Sequence, residues 1–255
     1  MPSQDVVDRA LRLSDIGVTD REIAQIFCVP VAVIQRWRAG RRRAASGIAG
    51  LRATACPRCY PKAWDESAYA YLLGLYLGDG YIVRGRKDVY ALAIACADSW
   101  PGLMDAAQQA MSAVMPTSRV CRVQQVGCTM VKSYSKHWPC LFPQLGAGLK
   151  HHRKIELENW QEIIVREFSG EFAKGLFHSD GWQGVNRVRR PLADGDRWYE
   201  YPHYQFSNES RDILRLCGEA LDRLGVEWRF SRRNSISVAR REAVARLDEF
   251  VGPKY

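Results

Sequence analysis

A nine-residue segment occurs twice in this chain, and the repeat constrains the fold more than any other feature. Residues 72–80 read Leu-Leu-Gly-Leu-Tyr-Leu-Gly-Asp-Gly, and residues 173–181 read Ala-Lys-Gly-Leu-Phe-His-Ser-Asp-Gly. Both copies contain Gly-Leu, an aromatic residue, a small residue and a final Asp-Gly, and the aspartates lie 101 positions apart. The repeat predicts a domain made of two similar halves.

The residues after each copy follow the same order of predicted elements. After the first copy we predict strands at 81–84 and 89–97, a helix at 99–114, strands at 118–126 and 129–135, and an apolar segment ending at Gly146. After the second copy we predict strands at 182–189 and 198–207, a helix at 209–224, strands at 226–231 and 234–239, and a helix at 240–250. Each half therefore has the order α-β-β-α-β-β-α, and the fold class is α+β with antiparallel strands and helices on one face.

The spacing of small residues predicts how the two motif segments meet. Gly74 and Gly78 are one helical turn apart, and the second copy has small residues at the same positions, so two motif helices can pack with their backbones close together. Asp79 and Asp180 would then emerge side by side. Two adjacent carboxylates repel unless a cation neutralises them, and Mg²⁺ accepts such oxygen ligands. The alternative is that each Asp-Gly is only the turn that ends a helix.

These motifs resemble the LAGLIDADG homing-endonuclease family, in the form in which one chain carries both halves. The resemblance covers residues 66–252. It implies a pseudo-twofold fold with two saddle-shaped antiparallel sheets along the DNA major groove. It also implies hydrolysis of phosphodiesters with Mg²⁺ or Mn²⁺ held by Asp79 and Asp180. The chain departs from the family at the sixth motif position, where Leu77 and His178 replace aspartate.

The same resemblance implies basic residues near the acidic pair and base-reading side chains on the strands. Lys132, Lys136 and Arg240 are the candidate catalytic cations. Arginine suits guanine edges and glutamine or asparagine suits adenine, although arginine on a strand also serves solubility. The candidate DNA-binding residues of the strands are Arg119, Arg122, Gln124, Arg187, Arg189, Arg190, Gln205, Arg229, Arg232, Arg233 and Asn234.

Residues 5–40 resemble a helix-turn-helix, so residues 1–43 are predicted to form a module that binds DNA. Thr19 and Glu22 have the spacing of a capping box, and Pro30 suits the first turn of a third helix. Cys28 stands where the turn usually has glycine, so it must adopt an unusual backbone angle. A three-helix protein-interaction bundle is the alternative. The candidate DNA-binding residues of this module are Gln35, Arg36, Arg38, Arg41, Arg42 and Arg43.

Residues 44–64 are predicted to form a basic linker between the module and the two halves, 65–150 and 151–255. Cys56 and Cys59 form a C-x2-C pair in this linker, and His137 and Cys140 form an H-x2-C pair in the first half. Zinc requires four such ligands, so the two pairs together could complete a zinc site. Two inert thiols in a turn are the alternative.

Composition indicates the partner. The chain has 37 Lys+Arg and 28 Asp+Glu and a formal net charge of +9, which favours double-stranded DNA as an anionic ligand. Eight unevenly spaced cysteines are typical of a reduced, cytoplasmic protein, nucleoid-associated if bacterial. No apolar run is long enough to span a membrane, and no signal peptide is visible. We expect a monomer without a small-molecule cofactor.

The function that these features favour is a site-specific double-stranded DNA endonuclease. A sequence-specific transcription regulator that has the same fold but does not cleave DNA is the alternative, because a nuclease with its own reading surfaces does not require a separate reading head. An RNA-binding splicing factor is a third hypothesis. A preference for structured RNA over duplex DNA would favour it.

Overall fold

The computed structural model of the protein describes residues 4–45, 56–59, 63–192 and 195–254. The chain divides into two compact units, with the boundary between Ala55 and Cys56. Cys56 and Cys59 therefore belong to the second unit. Most of the predicted linker, including residues 46–55 and 60–62, lies outside the described residues.

The first unit consists, in its described part, of three helices: α1 (Gln4–Asp15), α2 (Asp20–Ile26) and α3 (Val31–Ala45). The capping box is confirmed, since the Thr19 hydroxyl accepts from the Glu22 amide and the Glu22 carboxylate accepts from the Thr19 amide. Cys28 has a φ of 51°, the unusual angle expected for its position. The buried core contains Ala10, Ile23, Ala24 and Ile34, with Leu13, Val18, Phe27, Val29, Val31 and Trp37 packed against it.

The second unit contains two halves with the same order of elements, as the sequence predicts. The first half has α4 (Glu66–Leu77), β1 (Gly80–Arg84), β2 (Tyr90–Ala97), α5 (Pro101–Val114), β3 (Val120–Gln125), β4 (Cys128–Ser135) and the short α6 (Trp138–Leu141). After α7 (Asn159–Glu167), the second half has α8 (Ser169–Asp180), β5 (Gly181–Leu192), β6 (Gly195–Ser207), α9 (Arg211–Arg223), β7 (Arg229–Arg232), β8 (Ser235–Val238) and α10 (Arg241–Asp248).

Each half forms one four-stranded antiparallel sheet, and the strand orders are equivalent: β1-β2-β4-β3 and β5-β6-β8-β7. The predicted α+β class and the two-fold internal repeat are confirmed. The two sheets differ in their first hairpin. β5 and β6 have 12 and 13 residues, whereas β1 and β2 have 5 and 8.

Helices cover one face of each sheet because alternate strand residues are apolar. In the first sheet Ile94 and Val131 are buried on that face, and in the second sheet Phe206 and Ile236 take the equivalent positions. Residues of the other parity form the second surface, the open face of each sheet, which includes exposed side chains such as Tyr81 and Trp182 and buried ones such as Ala93 and Ser237. None of the helices in the described ranges has the length and apolar character that crossing a bilayer requires.

Candidate active site

The two motif helices, α4 and α8, pack with their backbones in contact. A Cβ atom added at Gly74 would lie 2.5 Å from the carbonyl oxygen of Phe172, and one added at Gly175 would clash with the carbonyl oxygen of Tyr71. Only glycine therefore fits at the crossing. The predicted close approach of these helices is confirmed.

This packing brings Asp79 and Asp180 together at the C-terminal ends of the two helices. A Cβ atom at Gly78, the residue before Asp79, would lie 3.3 Å from a carboxylate oxygen of Asp180. Asp79 is exposed and Asp180 is half-buried, so both carboxylates remain accessible. Partial removal from water and the neighbouring charge of Asp180 raise the pKa of Asp79 to about 6.

Asp180 has a hydrogen-bond partner that fixes its orientation. The side-chain amide of Asn208, just after β6, donates to Oδ2 of Asp180 at 2.6 Å. Burial raises the pKa of Asp180, and this hydrogen bond opposes the rise. In the first half the residue that follows β2 is Asp98, which accepts hydrogen bonds from Gln124 and Thr129 instead.

Two lysines that the sequence analysis did not select lie beside the aspartate pair. Lys150 donates to the carbonyl oxygens of Tyr76, Leu77 and Gly78 at the end of α4, at 2.5 to 2.8 Å. Lys254 donates to the carbonyl oxygens of Ser179 and Gly181 around the end of α8. The charge of each lysine lowers the pKa of both aspartates. Burial in turn lowers the pKa of Lys150 to about 8.

A repeated pattern in the sequence could have identified these lysines. Each follows a glycine by two residues, as Gly148-Leu-Lys150 and Gly252-Pro-Lys254, at the end of its half. Both glycines have a positive φ, 77° and 65°. The pattern is short and lies more than 70 residues after each aspartate, so it is visible only once the two halves are aligned.

The three cations selected from the sequence lie on or just after the fourth strand of each half. Lys132 is half-buried on the open face of the first sheet, in register with Ala93 and Cys121. Lys136 is exposed, and its charge acts on Asp88 at the far end of the β1–β2 connection. Arg240 forms an ion pair with Glu227 at 2.5 Å. The cations that lower the pKa of both aspartates are Lys150 and Lys254, and a catalytic role of Lys132, Lys136 and Arg240 stays a prediction.

His178, at a departure from the family motif, is a buried packing residue. Its Nε2 hydrogen donates to the carbonyl oxygen of Val251, and its Nδ1 accepts from the hydroxyl of Tyr71 in α4, both at 3.0 Å. Burial lowers the pKa of His178 to about 4, so the ring is neutral at neutral pH. This residue joins the motif helices and is not part of the exposed acidic site.

Solved structures share this arrangement of elements. The fold is similar to that of LAGLIDADG homing endonucleases. I-DmoI in complex with DNA and Mn has a TM-score of 0.48 and 16% identity over 74% of this chain and 98% of that chain. I-SmaMI bound to uncleaveable DNA has a TM-score of 0.46 and 10% identity over 71% and 81%. The N-terminal LAGLIDADG domain of DUF199/WhiA has a TM-score of 0.44 and 12% identity over 77% and 88%.

No protein-family model and no curated protein matches the chain. The function proposed below therefore rests on the geometry of the site.

The open face of the second sheet presents polar and basic side chains. One row across its strands, in register, contains Trp182, Gln205, Ser237 and Arg229. Trp182 is 51% exposed, and Arg190 shares its parity along β5. Arg190, Arg229 and Arg240 line one depression on this face. Arg232 is exposed and in register with Ser235 of the same face.

The equivalent row of the first sheet has smaller and less polar side chains. It contains Tyr81, Ala93, Lys132 and Cys121. Arg122 and Gln124 of β3 belong to the opposite face of the sheet, which the helices cover. Arg122 donates to Gln108 at 3.0 Å and to Asp105 at 2.5 Å, and Gln124 donates to Asp98. These two residues were expected on the DNA-reading surface, and the register places them on the other face.

The remaining candidate DNA-binding residues of the strands are in different environments. Arg187 forms an ion pair with Glu200, and Arg189 forms one with Asp196, along the β5–β6 hairpin. Arg187 and Arg189 lie on the face of the sheet opposite to that of Arg190. Both Arg233 and Asn234 contact Glu209. Arg119 is exposed.

The basic residues of the first unit also fall into distinct environments. Gln35 and Arg36 are exposed on α3, whereas Arg38 donates to Asp20 of α2 at 2.6 Å. The side chains of Arg41, Arg42 and Arg43 lie outside the described residues. DNA recognition by this unit stays a prediction.

The acidic site has the ligands that a hard divalent cation needs. Two carboxylates from different halves converge, both reach solvent, and the pKa of each is raised. A cation between them would remove their repulsion and leave coordination positions open for water and a phosphate oxygen. The donor set therefore fits Mg²⁺ or Mn²⁺.

Proposed function

We propose that the protein is a site-specific endonuclease that hydrolyses phosphodiester bonds of double-stranded DNA with a divalent metal ion held by Asp79 and Asp180. The observation that carries the proposal is the meeting of these two carboxylates at the ends of two helices packed at Gly74 and Gly175. Each half contributes one carboxylate, so a single chain completes the site and the active form is a monomer.

The residues around the pair support hydrolysis in complementary ways. A bound metal ion would activate water and stabilise the leaving oxygen. Asn208 holds one oxygen of Asp180, which leaves the other oxygen for a ligand. Lys150 and Lys254 place positive charge beside the carboxylates, where a DNA phosphate would enter. The pKa of Asp79 is raised to about 6, so this carboxylate is mostly ionised at neutral pH.

The open faces of the two sheets are the proposed DNA-binding surface. The second sheet supplies arginine and glutamine in a solvent-facing row, which suits direct contact with base edges in the major groove. The net charge of +9 favours the phosphate backbone. The first sheet contributes Lys132 and a more apolar surface, so we expect it to discriminate fewer bases.

A cleavage selection from a random duplex library tests the proposal. Parent protein with Mg²⁺ should cut a defined subset, and Asp79→Asn or Asp180→Asn should bind that subset but cut at least about 1,000-fold more slowly, since each removes a metal ligand worth several kcal/mol. Asp98→Asn is the control, because Asp98 is an acidic residue outside the pair and should leave cleavage unchanged.

A non-cleaving transcription regulator is the second candidate function. The observation that favours it is the separate N-terminal unit, which has a hydrophobic core of its own. Parent protein that protects a defined DNA site and leaves it intact in both Mg²⁺ and Mn²⁺ would establish this candidate and exclude the endonuclease.

A further inference from the structure

Three cysteines and one histidine form a cluster in the second unit, separate from the aspartate pair. Cys56 and Cys59 come from the first residues of this unit, His137 immediately precedes α6, and Cys140 lies within it. One ligand atom from each of the four residues lies within 4.8 Å of the others. Residues 78 positions apart in the sequence, Cys59 and His137, are thus brought to 3.4 Å.

We infer that Cys56, Cys59, His137 and Cys140 bind one structural zinc ion. In a tetrahedral site with Zn–S bonds of about 2.3 Å, two sulfurs lie about 3.8 Å apart, and a sulfur and a nitrogen lie about 3.6 Å apart. The Sγ atoms of Cys59 and Cys140 are 3.7 Å apart, and Nδ1 of His137 lies 3.4 Å and 3.8 Å from them. The spacing of these three ligand atoms matches a site around an ion, and the Sγ atom of Cys56 lies within 4.8 Å of each of them.

The donor set selects zinc over the cation proposed for the aspartate pair. Three sulfurs and one imidazole nitrogen are soft and borderline ligands, which suit zinc, whereas Mg²⁺ and Ca²⁺ take oxygen. All four ligands come from the protein, which is typical of a structural zinc site, since a catalytic site keeps one position open. The described cysteines are free thiols, and the 3.7 Å between Cys59 and Cys140 exceeds a disulfide bond of about 2.05 Å.

The position of the cluster indicates what the ion stabilises. The hydroxyl of Tyr69, near the start of α4, donates to the carbonyl of Leu141, the residue after Cys140, at 2.6 Å. The Arg58 guanidinium lies 4.4 Å from the ring centre of Trp160, which in turn contacts Tyr69. Zinc would therefore join residues 56–59 to the N-terminal end of α4. Asp79 follows the opposite end of this helix, whose twelve residues span about 18 Å.

Metal analysis of the purified full chain tests this inference. Protein prepared under reducing conditions without chelator should contain one zinc per chain by elemental mass spectrometry. Replacement of zinc by Co²⁺ should give the intense visible bands of tetrahedral cobalt and the near-ultraviolet bands of cobalt–thiolate bonds. His137→Ala should lose the metal, and His137→Cys should retain it, because cysteine restores a fourth ligand.

Matched variants separate this site from other thiols and from the nuclease site. Cys121→Ser removes a thiol outside the cluster and should leave the zinc content unchanged. Asp79→Asn should also retain zinc, so failure of cleavage and failure of zinc binding are distinguishable. Extraction of zinc from the parent protein should lower the midpoint of thermal unfolding by about 8–16 °C, as expected for a tightly bound ion in a domain of this size.

Two results would overturn the inference. One is parent protein that, after growth with added zinc, contains no zinc and has all its thiols reactive. The other is a disulfide between two of the three cysteines, detected by non-reducing peptide mass spectrometry. If the His137 variants do not fold, the cobalt spectrum of the parent protein still decides the matter, because sulfur ligands give bands that oxygen ligands do not.

Discussion

The two halves of the second unit have the same topology but surround their aspartates differently. Asp180 is held by Asn208, the residue after β6, whereas the residue after β2 in the first half, Asp98, accepts hydrogen bonds from Gln124 and Thr129. Asp79 is exposed and has its pKa raised to about 6. The repeated backbone therefore places the two aspartates in similar positions. Asn208 fixes the orientation of the Asp180 carboxylate, whereas the Asp79 carboxylate is free to adjust to a ligand.

The halves also differ in their open faces. Equivalent rows read Tyr81–Ala93–Lys132–Cys121 in the first sheet and Trp182–Gln205–Ser237–Arg229 in the second. Only the second row combines amide and guanidinium groups that can read bases. We propose from this difference that both halves hold the metal ion, while the second half contributes most of the sequence discrimination.

We expect the largest difference in cleavage rate between the two halves when Lys150 or Lys254 is replaced. Lys150→Met should lower the cleavage rate roughly 100-fold and Lys254→Met roughly 10-fold, because Lys150 contacts three helix-end carbonyls and has the larger influence on the pKa of Asp79. Loss of either charge raises the pKa of the aspartates, so the pH–rate profile should move to higher pH.

Single-turnover cleavage from pH 5 to pH 9 measures both effects. The control is Lys154→Met, which removes an exposed lysine paired with Glu156 and should change neither the rate nor the profile. An unshifted profile for both site variants would mean that these lysines only stabilise the helix ends.

Asn208 tests the asymmetry of the two carboxylates directly. Asn208→Leu removes the hydrogen bond to Asp180 and should weaken Mn²⁺ binding about 10- to 100-fold, the usual cost of losing a group that orients a metal ligand. Titration calorimetry with Mn²⁺ gives the affinity. Asp98→Asn changes the residue that follows β2 in the first half and should leave the affinity within about 2-fold. Equal losses in the two variants would contradict the asymmetry.

Arg229 and Cys121 occupy equivalent positions and test the division of DNA recognition. Arg229→Ala should weaken binding to the selected DNA about 10-fold and, if the side chain reads a guanine, relax the preference at one base pair. Cys121→Ser should have little effect. Binding measured by fluorescence anisotropy at several salt concentrations should also show whether Arg229 contacts phosphate, because loss of one phosphate contact lowers the salt slope by about 1.

The smallest expected effect concerns stability without metal. The pKa of Asp79 is raised from 3.8 to about 6, so the folded state binds more protons than the unfolded state between these values. The free energy of unfolding should therefore fall as pH rises through this window. Asp79→Asn should remove that fall and raise the unfolding midpoint at pH 7.5 by roughly 2–4 °C. The unfolding midpoint should rise less in Asp180→Asn, because this substitution also alters the hydrogen bond that Asn208 donates.

The sequence alone predicts the backbone architecture well, because the repeat and the strand patterns are local. The contact at Gly74 and Gly175 follows from small residues at helical spacing, and the strand order of one half implies that of the other. The surface that the β3 side chains occupy does not follow from the strand pattern alone. Arg122 and Gln124 alternate with apolar residues, but their side chains face Asp105 and Asp98, opposite the open face of the sheet.

Asn208 could not be predicted from a local pattern, and the Gly-x-Lys pattern of the two lysines is visible only when the halves are aligned. Lys150 lies in a connection after α6, and its role depends on the tertiary contact with the end of α4. Asn208 follows β6, and its role appears only when the β6 end meets the α8 end. The Cys56–Cys59 and His137–Cys140 pairs are each recognisable in the sequence as half of a metal site. That their ligand atoms lie within 4.8 Å of one another depends on how residues 56–59 pack against α6.

The position of a bound metal ion tests the central claim most directly. A crystal of the full chain soaked in Mn²⁺ should give an anomalous peak within about 2.0–2.5 Å of one carboxylate oxygen from Asp79 and one from Asp180. A fully occupied peak bound by only one aspartate, or the absence of any peak there at saturating Mn²⁺, would contradict a metal site shared by the two halves.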